Sequence, residues 1–187
     1  KSSKFGISFE SAFHGRTLGA LSATNSKSVH KKYFMRLPMF RLPFNETAAE
    51  KLSGLIEREG SSKDFGFVIV EPVQGEGGYR FSTSKMLKDI RAVTKQHSIP
   101  LICDEVQSGM GKTGKMFAIE HWDVVPDIIA TAKALGSGLP IGAAELALGD
   151  LTNEGRGLGG GRTRGTPLAN NGAKGAQRPE RSRGLGG

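Results

Sequence analysis

Two residues in the second half of the chain, Asp104 and Lys133, carry the side chains that imine chemistry requires. Asp104 follows the apolar run at residues 100–103, which has the pattern of a buried strand. A carboxylate at the end of a buried strand has an unfavourable desolvation free energy unless a cation or a strong hydrogen-bond donor contacts it. Lys133 stands among small and apolar residues, a setting that favours the neutral, nucleophilic amine. A lysine that forms a Schiff base and an aspartate that faces a pyridinium nitrogen are the pair expected of a pyridoxal phosphate (PLP) site.

The elements that must position these side chains are indicated by hydrophobic periodicity. Continuous apolar runs, typical of parallel strands covered on both faces, occur at residues 6–9, 66–70, 100–103 and 127–130. Helical periodicity between them predicts helices over residues 47–59 and 84–97. This order predicts an α/β fold, a mostly parallel sheet sandwiched by helices with right-handed crossovers. Residues 25–46, which contain Pro38 and Pro43, are predicted to form a long connection.

Polar or glycine-rich segments follow three of the predicted strands, at residues 71–78, 104–114 and 131–138. Ligands of open parallel sheets bind beyond the carboxyl ends of the strands. The three segments therefore predict a small-molecule site at one edge of the sheet. The stretch Gly109–Thr113 contains the Gly-Lys-Thr of a phosphate loop, but Val106 stands where that motif needs its first glycine, so nucleotide binding is not expected.

Charge and composition change near residue 150. The net charge of +8 divides into +3 for residues 1–150 and +5 for residues 151–187, where seven Lys or Arg face two acids. Eleven of the 27 glycines also lie in this second segment, which has no aromatic residue, Val or Ile. We therefore predict a PLP-binding domain over 1–150 and a disordered or aberrant Gly/Arg-rich tail over 151–187.

Composition also narrows the class of protein. No apolar stretch approaches the roughly 20 residues needed to span a bilayer, so membrane insertion is not expected. The single cysteine, Cys103, excludes an internal disulfide framework and a cysteine-based zinc cluster, and no metal is predicted. A reducing, cytoplasmic compartment is the expected location, and nucleic acid is not the expected partner.

Five motifs in order resemble the class III aminotransferases, with the closest likeness to 4-aminobutyrate and related ω-amino-acid aminotransferases. They are residues 13–22 (FHGRTLGALS), 71–78 (EPVQGEGG), 104–114 (DEVQSGMGKTG), 126–128 (PDI) and 133–136 (KALG). The resemblance covers about residues 5–150 and implies the large domain of fold-type I PLP enzymes. It also implies a homodimer that transfers an amino group from a small amine to a 2-oxo acid.

The resemblance implies a role for each matching residue. Lys133 would form the Schiff base and move a proton, and Asp104 would keep the ring nitrogen protonated. Phe13 and Val106 would pack on the two ring faces, Gln107 would bind the ring hydroxyl, and His14 would occupy the adjoining turn. Glu76 would engage a switching arginine when substrates alternate, and Glu71 would support the site from behind.

The chain also departs from the family pattern. The upstream segment that grips the cofactor phosphate and the C-terminal domain with a substrate-binding arginine are missing, and residues 160–169 only distantly match a family motif. We therefore interpret the chain as a fragment of the large domain, inactive by itself. The proposed reaction is transamination of 4-aminobutyrate with 2-oxoglutarate. Alternatives are a PLP-dependent racemase, an acetylornithine or ornithine-type aminotransferase, and an inactive fragment whose basic tail binds nucleic acid.

Overall fold

The computed structural model describes residues 3–59 and 61–146. The predicted tail at 151–187 and the domain boundary at residue 150 lie outside these ranges and stay predictions. No helix within the two ranges has the length and apolar character needed to cross a membrane.

A six-stranded sheet forms the centre of the fold, with strand order β2-β1-β3-β6-β7-β8. The first five of these strands are parallel, and β8 runs antiparallel to β7. A separate two-stranded ribbon pairs β4 with β5. The strands are β1 Phe5–Phe9, β2 Met39–Leu42, β3 Phe65–Val70, β4 Val73–Gln74, β5 Arg80–Phe81, β6 Leu101–Asp104, β7 Ile128–Ala132 and β8 Gly142–Leu146. The predicted α/β architecture and the four predicted strands are confirmed.

Within residues 3–59 and 61–146, three α-helices accompany the sheet: α1 Leu18–Ala23, α2 Ala48–Glu59 and α3 Ser84–Gln96. The amphipathic patterns of α2 and α3 place their apolar faces in one core with the buried strand residues. The side chain of Thr83 caps α3, because its hydroxyl oxygen accepts a hydrogen bond of 3.1 Å from the Met86 N–H. Burial of these apolar faces, rather than helix propensity alone, fixes both helices against the sheet.

The long connection predicted for residues 25–46 is wrong in part. It contains a single 3-10 turn at Ser28–Lys31 and the strand β2, which pairs in parallel with β1. Pro38 precedes β2, and its carbonyl accepts a hydrogen bond of 3.1 Å from the Gly6 N–H. A four-residue strand between prolines leaves little periodicity in the sequence, and prolines are tolerated there because β2 lies at the sheet edge.

The sheet has a topological switch point between β1 and β3. The chain leaves β1 to form β2 on one side and returns to form β3 on the other. In such sheets the carboxyl ends of the two central strands diverge into a crevice, where ligands bind. The segments that follow β1, β3, β6 and β7 all begin at this carboxyl edge, as predicted for the last three.

An ion pair links α3 to the amino edge of the sheet. Arg91 of α3 donates two hydrogen bonds to Asp127, with distances of 2.7 and 3.0 Å. Asp127 Oδ2 also accepts the N–H of Leu101, the first residue of β6, at 2.7 Å. The motif at residues 126–128 therefore joins α3 to the start of β6 and β7, on the edge opposite the strand exits.

Candidate functional site at the carboxyl edge of the sheet

Asp104 at the end of β6 contacts His14, which lies in the turn after β1. Asp104 Oδ2 and His14 Nδ1 are 2.7 Å apart, and their side chains are 9% and 1% exposed. Because an ionised carboxylate only accepts hydrogen bonds, Nδ1 carries the hydrogen. Asp104 Oδ1 accepts the Val106 N–H at 3.1 Å. The imidazole thus holds the carboxylate in one orientation. The sequence predicted only that the segments carrying the two residues lie next to each other.

Glu71, directly after β3, ties the same turn to the neighbouring strand exit. Its Oε2 accepts the backbone N–H of Phe13 at 3.0 Å, across the switch point. The side chain of Gln74 adds a second tie, because its amide donates to the Glu10 carbonyl at 2.8 Å. The turn that carries Phe13 and His14 is therefore fixed by residues of the segment after β3.

The ionisation of Glu71 is perturbed by its surroundings. Burial raises the pKa of Glu71 to about 7. The positive charge of His14 and the backbone N–H donors of Phe13 and Gly75 oppose that rise, and the negative charge of Asp104 adds to it. Glu71 is 3% exposed, so the desolvation that dominates this balance agrees with its position. The predicted supporting residue is thus an acid that titrates near neutrality.

Lys133 directly follows β7, and the Asp104 strand is its immediate neighbour in the sheet. Asp104 pairs with Ala130 in the β6–β7 register, three residues before Lys133. The backbone of Lys133 has φ +45°, the left-handed region that costs a non-glycine residue about 1 kcal/mol or more. Its side chain is exposed and makes no ion pair with any other residue in the described ranges. The enclosed apolar setting expected around Lys133 is therefore not formed by these residues.

The remaining predicted site residues differ in burial. Phe13 and Val106 are half-buried, whereas Gln107 and Glu76 are exposed. A side-chain carbon added to Gly75 would meet the Gln107 side chain at 3.2 Å, so this glycine lets the segments after β3 and β6 approach each other. All eight predicted residues thus lie at the carboxyl edge. The hydrogen-bonded side chains of His14, Glu71 and Asp104 are buried there, whereas Glu76, Gln107 and Lys133 are exposed.

Glu105 is a buried residue of this edge that the sequence analysis overlooked. It is 1% exposed, and its carboxylate accepts hydrogen bonds from the Ser108 hydroxyl and from the Ile119 N–H, at 2.5 and 2.8 Å. The thiol of Cys103 lies 3.8 Å away as a further donor, and burial raises its pKa well above the usual range. Glu105 therefore anchors the loop after β6. The sequence feature that could have indicated this role is an acidic residue directly after Asp104, at the end of a buried strand.

The Gly-Lys-Thr stretch does not form a phosphate loop. Lys112 and Thr113 lie in turns, with Met110 and Gly111 in left-handed conformations, and the next element is the 3-10 helix Ala118–Trp122. A phosphate loop instead opens directly into an α-helix whose N-terminus faces the anion. The expectation against nucleotide binding agrees with this geometry.

The donor set at this edge fits the ring and the aldehyde carbon of PLP. Asp104 offers an oriented carboxylate for a pyridinium nitrogen, and Lys133 offers an accessible amine for a carbonyl carbon. The half-buried aromatic ring of Phe13 and the branched side chain of Val106 offer apolar surfaces for a flat heterocycle. The Nε2 atom of His14 is buried and lacks a hydrogen-bond partner among the described residues, so the site has one polar atom left that can form a further hydrogen bond.

Comparison with known proteins agrees with this chemistry. A family model described as aminotransferase class-III matches residues 2–171, which extends past residue 150, where the resemblance was expected to end. The acetylornithine aminotransferase of Methanopyrus kandleri is 45% identical over 138 residues, 73% of this chain and 34% of that protein. The enzyme of the same name from Methanocaldococcus jannaschii is 45% identical over 141 residues, 75% of this chain and 34% of that protein.

Solved structures give the same result. A thermostable (S)-enantioselective omega-transaminase from Thermomicrobium roseum matches with TM-score 0.70 and 32% identity, over 76% of this chain and 35% of that one. A transaminase from the marine bacterium Virgibacillus matches with TM-score 0.70 and 31% identity, over 76% and 33%. These likenesses confirm the predicted resemblance to fold-type I transaminases.

The chain belongs to the class-III aminotransferase family. Members of this family depend on PLP, which confirms the cofactor that Asp104 and Lys133 indicated. The chain spans about a third of the length of the curated relatives that it matches.

Proposed function

We propose that the protein containing this chain is a PLP-dependent aminotransferase that transfers the terminal amino group of an ω-amino acid, such as 4-aminobutyrate, to 2-oxoglutarate. The observation that supports this most directly is the placement of Asp104 and Lys133 after adjacent parallel strands at the carboxyl edge. That edge is where parallel sheets of this type bind their ligands.

Each residue of the site receives a distinct task in this proposal. PLP, when bound, supplies an aldehyde that joins amines and a ring that withdraws electrons. The carboxylate of Asp104, oriented by His14, holds a proton at the ring nitrogen. The amine of Lys133 would hold the aldehyde carbon, with the aldehyde oxygen released as water, and would move a proton at the substrate carbon. Phe13 and Val106 pack on the ring faces.

Two exposed residues face the substrate side in the same proposal. Gln107 binds the ring hydroxyl, and Glu76 holds a switching arginine when an ω-amino acid and a dicarboxylate alternate. Their exposure is consistent with groups that meet a ligand or another segment rather than a core. The backbone strain at Lys133 supports a functional rather than a packing role, because strained residues persist where the surrounding structure enforces them.

The second candidate substrate is acetylornithine. The two curated relatives bear that substrate in their names and are 45% identical to this chain, whereas the solved omega-transaminase is 32% identical. When ornithine is acetylated at its α-amine, its free amine lies at the end of the chain, as it does in 4-aminobutyrate. The two candidates therefore share a terminal primary amine and differ in the group at the other end.

The parts that would complete the enzyme belong to the proposal as well. We expect a homodimer in the cytoplasm, with the cofactor phosphate gripped by segments other than the ring site described here. Residues 1–187 alone are expected to be inactive, since the chain spans about a third of the relatives' length. Measurable transamination by this chain alone would contradict the fragment interpretation.

The deciding experiment uses the protein at the full length of its relatives. The initial rate of transamination with 2-oxoglutarate is measured for 4-aminobutyrate and for Nα-acetylornithine, each also as a competitor of the other. A higher kcat/KM for 4-aminobutyrate is expected, and a higher value for acetylornithine would select the second candidate. A protein that racemises an amino acid without consuming 2-oxoglutarate would contradict transamination with both substrates.

A further inference from the structure

Glu71 is a buried acid whose contacts serve a neighbouring turn rather than the reacting groups. Its carboxylate accepts the N–H of Phe13, 58 positions away in the sequence, and a backbone N–H of its own loop at Gly75. Phe13 precedes His14, whose imidazole is held on Asp104 at 2.7 Å. The Glu71 carboxylate therefore restrains the start of the turn that orients the Asp104 carboxylate, beside the Gln74 amide on Glu10 and the Thr24 hydroxyl that accepts the His14 N–H.

The charged groups around Glu71 leave its negative charge poorly compensated. His14 from the turn after β1 and Asp104 from β6 are the two ionisable side chains that act on it, with opposite signs. Glu10 after β1 and Glu76 in its own loop are exposed. No lysine or arginine in the described ranges forms an ion pair with Glu71.

A neutral amide would satisfy the same backbone donors, because the oxygen of a glutamine also accepts the Phe13 N–H. A purely structural role at this position therefore requires no charge. A carboxylate that is 3% exposed carries a desolvation cost that the glutamine would avoid. The charge is thus the property of Glu71 that the packing alone does not explain.

We propose that Glu71 is a pH-dependent positioning residue: its ionised carboxylate fixes the Phe13–His14 turn and so holds His14 against Asp104, and its protonation loosens that turn. The consequence for the cofactor rests on the proposed function above. The effect on the turn itself does not, because it concerns residues of the chain without any ligand.

The physical basis is the difference between a charged and a neutral acceptor. A hydrogen bond from a backbone N–H to a carboxylate is roughly twice as strong as one to a neutral oxygen. Protonation of Glu71 also removes its attraction for a positively charged His14. The pKa of about 7 places this change in the charge of Glu71 near neutral pH.

The first test uses hydrogen exchange in the cofactor-free protein at the full length of its relatives. The protection factor of the Phe13 amide in the native protein is divided by that in Glu71→Gln at each pH to give the Phe13 exchange ratio. The amide of Val68, whose N–H donates to Pro100 within the buried sheet, reports the stability of the whole domain in both proteins. Between pH 5.5 and 8.5 the Phe13 exchange ratio is expected to rise at least about fivefold, although the unfolding free energy of the native protein falls over the same range. A Phe13 exchange ratio that stays level or falls as the pH rises would overturn the proposal.

The second test uses Glu71→Gln, with Glu50→Gln on the exposed face of α2 as the matched control. The Kd of PLP, measured by the change in absorbance on binding, is expected to weaken about fivefold in the native and control proteins as the pH falls from 8 to 6. In Glu71→Gln this weakening is expected to be about fivefold smaller, because only the ionisation of PLP itself and of Lys133 remains. If Glu71→Gln keeps the native pH dependence, the proposal is wrong.

The two proposals fail in different ways. If PLP binds but does so without Lys133, the proposed function fails while the exchange result for Phe13 still decides the role of Glu71. If PLP binds through Lys133 and the Phe13 exchange ratio is flat, only the role of Glu71 fails. A kcat whose pH midpoint lies near the pKa of Glu71, with an unchanged KM for the amine, supports positioning of the cofactor rather than substrate binding.

Discussion

The two edges of the sheet each contain a buried or half-buried carboxylate that accepts a backbone N–H from a neighbouring strand or from the turn that follows one. At the amino edge Asp127 accepts the Leu101 N–H and is paired with Arg91 through two hydrogen bonds. At the carboxyl edge Glu71 accepts the Phe13 N–H, and its ionisable neighbours are a histidine and a second acid. Both carboxylates therefore accept a backbone N–H, but their charged or ionisable neighbours differ.

Under the proposal for Glu71, this difference separates an acid with a structural role from one whose charge changes. A guanidinium is permanently charged, so Asp127 has a fixed cation beside it. Glu71 lacks such a partner among the described residues, and burial raises its pKa to about 7. The perturbed pKa of Glu71, together with its place at the carboxyl edge, makes it a candidate functional residue.

The largest expected effect tests whether chemistry is confined to the carboxyl edge. In the full-length protein, Lys133→Ala is expected to abolish transamination and the imine absorbance at about 410–430 nm, because the amine that joins the cofactor is removed. Lys112→Ala, which changes another exposed lysine of the same edge, serves as the control and should keep both. A borohydride-reducible adduct that persists in Lys133→Ala would refute the assignment.

The second effect concerns the carboxylate that His14 orients. Asp104→Asn keeps the size of the side chain but removes the charge that holds a proton at the ring nitrogen. Turnover is expected to fall about a hundredfold, or about 2.7 kcal/mol of transition-state stabilisation, while the circular dichroism spectrum is unchanged. Asp89→Asn on the exposed side of α3 is the control. Near-native turnover in Asp104→Asn would show that the carboxylate is a packing group.

The third effect distinguishes the two edges by the pH dependence of stability. The pKa of Glu71 rises from 4.5 when unfolded to about 7 when folded. Below pH 4.5 both states hold the proton, and as the pH rises towards 7 only the unfolded state releases it, so the unfolding free energy falls. Glu71→Gln should lack this fall and exceed the native protein by about 2 kcal/mol at pH 8.

Urea denaturation at pH 5, 6, 7 and 8 measures this difference, with Glu50→Gln as the control. The native and control curves should fall together, and the Glu71→Gln curve should stay level. Parallel curves for all three proteins would show that Glu71 ionises in the folded protein as it does in the unfolded chain, and the contrast between the edges would disappear.

The smallest effect tests the amino edge. Asp127→Asn removes the charge of a two-hydrogen-bond ion pair whose side chains are 18% and 27% exposed. We expect a loss of about 1 kcal/mol of unfolding free energy, equal at pH 6 and pH 8, with no change in the Kd of PLP. The same urea series and the same absorbance titration measure both. A loss of PLP affinity would mean that this motif belongs to the site.

Much of this fold was predictable because buried parallel strands and amphipathic helices leave strong periodic signals. The run at 66–70 became β3, which begins one residue earlier, and the run at 100–103 became β6, which begins and ends one residue later. The edge strand β2 was not predictable, because four residues between prolines show no period. The antiparallel strand β8 was missed for a similar reason, since all five of its residues are exposed and its sequence, GAAEL, does not alternate.

The site was predictable as a set of residues but not as a network. Motif order and strand exits indicated Glu71, Asp104 and Lys133 at one edge. The contact of His14 with Asp104 and the hydrogen bond from Phe13 to Glu71 depend on strand order, which the sequence of a single chain does not specify. The exposure of Lys133 also differs from the enclosed setting expected, because the flanking small residues cover little of its side chain.

The switch point between β1 and β3 has a consequence for the order of folding. The contacts that cross it join residues 58 and 90 positions apart, from Phe13 to Glu71 and from His14 to Asp104. Such non-local pairings carry a loop-closure cost that local helices do not, and parallel strands form slowly for this reason. A growing polypeptide can form α2 soon after its residues emerge, but the His14–Asp104 contact must wait until β6 has been synthesised and docked. The ring site is therefore among the last parts of the described region to form, and premature release of the chain before residue 104 would leave it without Asp104 and Lys133.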